Sequence, residues 1–114
     1  MKASFAVGLT AVLLAPPARA AEVDLSIEAR RMLAYGTLAI MTGICKPNLT
    51  PNQAAQMDAG LKAASQAQRD LTLAQFADAM DAVDLQVGWN KDRVCAGLTP
   101  DVIAESLRDA AAGM

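Results

Sequence analysis

Two cysteines constrain this chain more than any other feature. They are its only cysteines in 114 residues, and each is followed a few positions later by the same tripeptide. "CKPNLTPNQ" runs from Cys45 to Gln53, and "CAGLTP" runs from Cys95 to Pro100. Leu-Thr-Pro is helix-start chemistry, because Thr caps orphan backbone N–H groups and Pro is pre-organised for the first helical position. Each Cys is therefore predicted to close one helix and each Leu-Thr-Pro to open the next. A Cys45–Cys95 bond would tie two helix corners at the same end of a bundle.

The start of the chain says where such a bond could form. Lys2 is followed by the uncharged apolar run "ASFAVGLTAVLLA", and "PPARA" ends in an Ala-x-Ala pattern at Ala18 and Ala20. This predicts a secretory signal peptide over 1–20. The run is shorter than the roughly 20 apolar residues a bilayer span needs. No Cys follows the predicted cut, so a lipid anchor is not expected. The mature chain, 21–114, is a single small domain in a periplasmic or secreted location, where two cysteines pair. Closing a loop of about 50 residues removes about 4 kcal/mol of denatured-state entropy. The absence of Cys-x-x-Cys makes the pair a staple rather than a redox site.

Helix formers dominate the mature chain, and no stretch alternates with β-branched residues. Four helical segments follow. The first, about Leu25 to Cys45, carries Leu25, Ala29, Met32, Leu33, Gly36, Ile40 and Gly43 on one face. Ile27, Ala34, Leu38, Met41 and Cys45 lie on the other, with no charge after Arg31. A helix apolar on both sides wants partners on both sides, so it is the predicted central helix. Ala29, Gly36 and Gly43 recur every seven residues and would let a neighbour approach. Pro47 ends the segment.

The second segment opens with Thr50, Pro51 and Gln53, a capping box with Pro in its favoured place. Ala54, Met57, Leu61, Ala64 and Leu71 share its inner face. The third opens with a second box, Thr72 and Gln75. Its core stripe is Leu73, Phe76, Met80, Val83 and Val87, and it continues through Gly88, with a kink left open there, to Cys95. Gly97 sits where a C-terminal cap belongs. The fourth opens with Thr99 and Pro100 and carries Ile103, Leu107 and Ala110, with "AAAGM" expected to fray.

The expected fold is all-α: a small four-helix up-down bundle of two helical hairpins, stapled by one disulfide.

Much chemistry is not provided for. There is no histidine, no G-x-S-x-G, no phosphate-cradling Gly loop and no zinc-ligand spacing. No cofactor, metal or catalytic residue is assigned, and the chain is not expected to be an enzyme. The mature chain holds 8 Lys+Arg (10 less Lys2 and Arg19) against 12 Asp+Glu, a net charge of −4. That balance argues against nucleic acid and anionic membrane surfaces. The methionines on apolar faces are core filler rather than copper ligands. Asp78, Asp81 and Asp84 form a D-x-x-D-x-x-D series, more often a solvated face than a cation site or docking ridge.

Leu85 and Trp89 are the candidate partner surface. Four apart on a continuous helix, they meet on one side. That side lies nearly opposite the Phe76, Met80, Val83 and Val87 stripe. They include the only Trp, a residue enriched at binding hot spots. A break at Gly88 or cover from the fourth segment would bury them instead.

The layout of an exported, helical, His-free chain with two cysteines about fifty apart resembles the HdeA-type periplasmic acid-stress chaperones. "LTPNQ" (Leu49 to Gln53) and "LTLAQ" (Leu71 to Gln75) are similar to the L-T-x-x-Q motifs of the Spy/CpxP periplasmic stress proteins. "CKPNLTPNQ" with a later Cys resembles periplasmic immunity proteins of type VI secretion systems. These resemblances imply a non-enzymatic protein that binds protein partners, as a stress chaperone holding unfolding clients. The alternative is an inhibitor or immunity protein blocking one enzyme. A second alternative is a structural or homo-oligomeric domain, with the apolar back of the central helix as a dimer face.

Overall fold

The computed structural model describes residues 25–114. The predicted signal peptide lies outside the described residues. All regular structure here is helical: α1 (Ile27–Cys45), α2 (Pro51–Ala67), α3 (Leu73–Trp89), α4 (Lys91–Gly97) and α5 (Pro100–Ala112).

The helix starts follow from local chemistry. Thr50 Oγ1 accepts from the Gln53 N–H at 3.0 Å, and Gln53 Oε1 accepts from the Thr50 N–H at 3.0 Å. The same reciprocal pair joins Thr72 and Gln75 at 3.1 and 2.9 Å. Thr99 caps α5 by accepting from the Val102 N–H, with Pro100 at the first position. Each cap satisfies donors that a helix leaves orphaned. Ser26 caps α1 by accepting from the Ala29 N–H.

Helix α1 is the hub, packing against all four others. Ala29, Met32, Tyr35, Gly36, Leu38 and Thr42 are buried along it. The main core lies between α1, α2 and α5: Tyr35, Leu38, Leu98, Ile103, Leu107 and Ala110, flanked by Met57 and Leu61. Helix α3 contributes nothing to that cluster. It seats on another side of α1, where Gly36 leaves room for Phe76 and Met80. A Cβ at residue 36 would stand 2.9 Å from Phe76 Cζ and 2.7 Å from Met80 Sδ. Val87 is its one buried residue.

The disulfide Cys45–Cys95 is formed, with Cα atoms 5.3 Å apart. It joins the last residue of α1 to α4, as the corner argument requires, and suits an oxidising, exported location. At the other end of α1, Asp70 in the α2–α3 connection accepts a hydrogen bond from the Ser26 N–H. Helix α3 thus starts beside the start of α1 and runs in the same sense toward the disulfide corner.

Several expectations need correction. The third segment is two helices, because the chain turns at Asn90 while Gly88 stays helical. The Asn90 side chain donates to the Gln86 carbonyl at 3.0 Å, and its N–H is shared between the Gln86 and Val87 carbonyls. Such local side-chain bonding competes with helix continuation. Leu73 is 84% exposed rather than core, since it is the first residue of α3 and overhangs the α2–α3 connection. Gly97 is the last residue of α4, and Leu98 takes the cap position. Gly43 meets nothing within 4 Å, so of the seven-residue glycine series only Gly36 serves a close contact.

The C-terminus does not fray. Helix α5 runs to Ala112 and ends on Gly113 in the left-handed conformation (φ 77°). Two arginines at the start of α1 hold this end. Arg31 Nε donates to the Ala111 carbonyl at 2.7 Å and Arg30 Nε to the Gly113 carbonyl at 2.9 Å. Cations at the negative end of a helix, bonded to its orphan carbonyls, are favourable on both counts.

Candidate partner-binding face

Helix α3 has two unlike sides. Phe76, Met80 and Val83 are half-buried toward α1, and Val87 is buried. At 100° per residue the opposite side carries Asp78, Asp81, Leu85 and Trp89, spaced three, four and four apart. All four are exposed, Leu85 at 56% and Trp89 at 80%. The helix is continuous through Gly88, so the pair faces outward together. Helix α5 does not reach across to cover it. Asn90 begins its turn one residue later, leaving the indole at the rim of a shallow surface formed with Lys91, Asp92 and Arg93.

The surface is held in place from both ends. Asp70 fastens the start of α3 to the start of α1, and the disulfide fastens the region beyond its end to the end of α1. The Asp70 carboxyl is held below the usual carboxylate range, first by the hydrogen bond from the Ser26 N–H and then by the Ser26 hydroxyl, against slight desolvation. A carboxylate at a helix N-terminus is also favoured by the helix dipole.

Asp84 is exposed but turned about 100° from the Leu85 direction, toward the flank of α3. Among the described residues no group of three or more His, Cys, Asp or Glu is placed to hold a metal ion. No helix there is long and apolar enough to cross a membrane.

A second feature escaped the sequence reading. An open, mainly apolar groove runs between α1 and α5, lined by Leu33, Ala34, Thr37, Leu38 and Met41 on one wall and Ser106, Ala110 and Met114 on the other. The sequence puts Leu33 and Met41 on opposite faces of a helix expected to be covered on both. They are instead half-buried together, because α3 and α5 leave a gap between them. The anchoring roles of Arg30, Arg31 and Asp70 were also missed. The available signals were Gly113 after an alanine run, which marks a left-handed helix end, and basic residues able to reach its carbonyls.

Comparison with family models, with curated proteins and with solved structures found no match. The functional reading therefore rests on the geometry of α3 and on the chemistry of the chain.

Proposed function

We propose that this chain is an exported, non-enzymatic helical protein that acts by binding a protein partner through a preformed face on α3. In this reading α3 and α4 form one bent arm, and the chain is an up-down bundle of two hairpins locked at the Cys45–Cys95 corner. The observation that carries it is the exposed Leu85–Trp89 pair on a helix fastened at both ends. Trp anchors supply large contact area, and a surface rigid before binding loses little freedom on association. A fixed surface suits an inhibitor or immunity protein that blocks one enzyme better than a protein that must open first.

The test is capture from periplasmic extract at neutral pH by the oxidised mature domain. The tag belongs ahead of Leu25, because Gly113 is buried and bonded at the other end. One partner in near-equal amount, lost with Leu85→Ala and Trp89→Ala, supports the reading. Capture of the same proteins by those variants overturns it.

A stress chaperone is the second reading, favoured by the Asp70–Ser26 bond. Acid protonates Asp70, unfastens α3 from α1 and exposes the face that Phe76 and Met80 cover. It requires that the acid form bind an apolar dye and suppress client aggregation. An acid form that does neither removes it.

A further inference from the structure

We propose that the outward face of α3 docks a cationic amphipathic segment of the partner, with Lys or Arg side chains against Asp78 and Asp81 and apolar side chains over Leu85 and Trp89. This rests on the protein-binding reading above and specifies the partner's chemistry.

Four residues define the strip. Their spacing places them along one line of the helix, and at 1.5 Å per residue the line from Asp78 to Trp89 is about 17 Å long. That matches about three turns of a partner helix. The strip is acidic at its N-terminal half and apolar at its C-terminal half. Between Leu73 and Trp89 there are three aspartates and no Lys or Arg, so nothing on α3 neutralises it. Arg30 and Arg31 on the hub helix donate to carbonyls at the end of α5, and Lys91 and Arg93 lie beyond the strip's apolar end, beside Trp89 and away from Asp78 and Asp81.

Charge selects among occupants. An anionic membrane or nucleic acid is repelled by Asp78 and Asp81. A second copy meeting this face with its own in parallel brings two acidic halves together. A cationic segment gains ion pairs at one half and buries Leu85 and Trp89 at the other. An Arg over the indole face adds cation–π attraction. The apolar half gives affinity, while the acidic half sets register and speeds encounter.

Trp89 is the only Trp, so its fluorescence reports on this strip directly. The oxidised mature protein is titrated with a Trp-free Leu/Lys peptide of about 14 residues, long enough to span the strip as an amphipathic helix, and with its Leu/Glu counterpart. The Lys peptide should shift Trp89 emission to shorter wavelength saturably, and the Glu peptide should not. Asp78→Asn with Asp81→Asn should weaken binding about fivefold, as loss of two exposed ion pairs implies. The control double variant, Asp101→Asn with Glu105→Gln on α5, changes net charge equally and should bind as the parent does. Equal weakening in both double variants, or no shift with the Lys peptide, overturns the proposal. If a captured partner depends on Trp89 yet ignores Asp78 and Asp81, the partner-binding reading stands and the cationic partner falls. If capture is indifferent to Trp89, the broader reading falls first.

Discussion

The Tyr35 ring packs over Gly60: a Cβ at residue 60 would stand 2.2 Å from Tyr35 Cζ. Tyr35 is buried in the main core, so a Cβ there forces its ring or α2 to shift. Gly60→Ala should therefore destabilise the fold by about 1–3 kcal/mol, despite the better helix propensity of Ala. Gly43 is an exposed helical glycine with nothing within 4 Å, so Gly43→Ala should stabilise by about 0.5–1 kcal/mol. Urea denaturation of the two variants should move the midpoint in opposite directions.

Reduction of Cys45–Cys95 tests the staple. The bond closes a loop spanning 50 positions, and its loss should cost about 4 kcal/mol in the chain-entropy picture. Helix α3 shares little of the main core, so it should loosen before α1, α2 and α5 do. Amide exchange after reduction should speed most in α3 and α4. Uniform acceleration across all helices would show one cooperative unit instead.

The caps and the staple were legible because their signals are local. Thr-x-x-Gln and Thr-Pro bond within one turn, and the disulfide needed only two cysteines and a predicted export signal. The break falls at Asn90 and not at Gly88, two residues earlier and the weaker helix former. What stopped the helix was an Asn side chain able to bond back to Gln86. Leu73 fitted the apolar period but stands at the first position of α3, where little lies beneath it. The Arg30–Gly113 contact joins residues 83 apart, and no local pattern announces it. Leu85 and Trp89 could be placed opposite the core stripe by angle alone. Whether another helix covered them depended on where α5 packs, which is tertiary information.

Asp70 should make stability depend on acid. Its folded pKa lies below the ordinary value of 3.8, so its contribution is fully present above that value. It is lost as pH falls through the lowered folded value. Asp70→Ala should therefore cost stability at pH 6, and the gap to the parent should close as pH falls below 3.8 and through the lowered folded value. Urea midpoints across this range check it. A gap that stays constant at low pH would show that the carboxylate charge is not what matters.

The C-terminal anchor predicts fraying on demand. Arg30→Ala and Arg31→Ala should each cost about 0.5–1 kcal/mol and speed exchange at Ala110 to Met114, with little change in α3. Gly113→Ala should cost more. It forces a left-handed φ on a residue with a Cβ and sets that Cβ 2.5 Å from Ile27 Cγ1.

Val87 and Trp89 sit two residues apart on opposite sides of α3, and they should behave in opposite ways. Val87 is 6% exposed, so Val87→Ala removes buried methyl groups and should cost about 1–2 kcal/mol. Trp89 is 80% exposed, so Trp89→Ala should shift stability by no more than about 0.5 kcal/mol. Native Trp89 emission should already lie close to that of the unfolded chain. A large stability loss in Trp89→Ala, or blue-shifted native emission, would mean that the indole is covered in solution, either by its own chain or by a second copy. Concentration-dependent emission separates these two, since cover by a second copy disappears on dilution. A preserved fold with exposed emission leaves the indole free for a different molecule, and the burden of explaining an uncovered Trp passes to its partner.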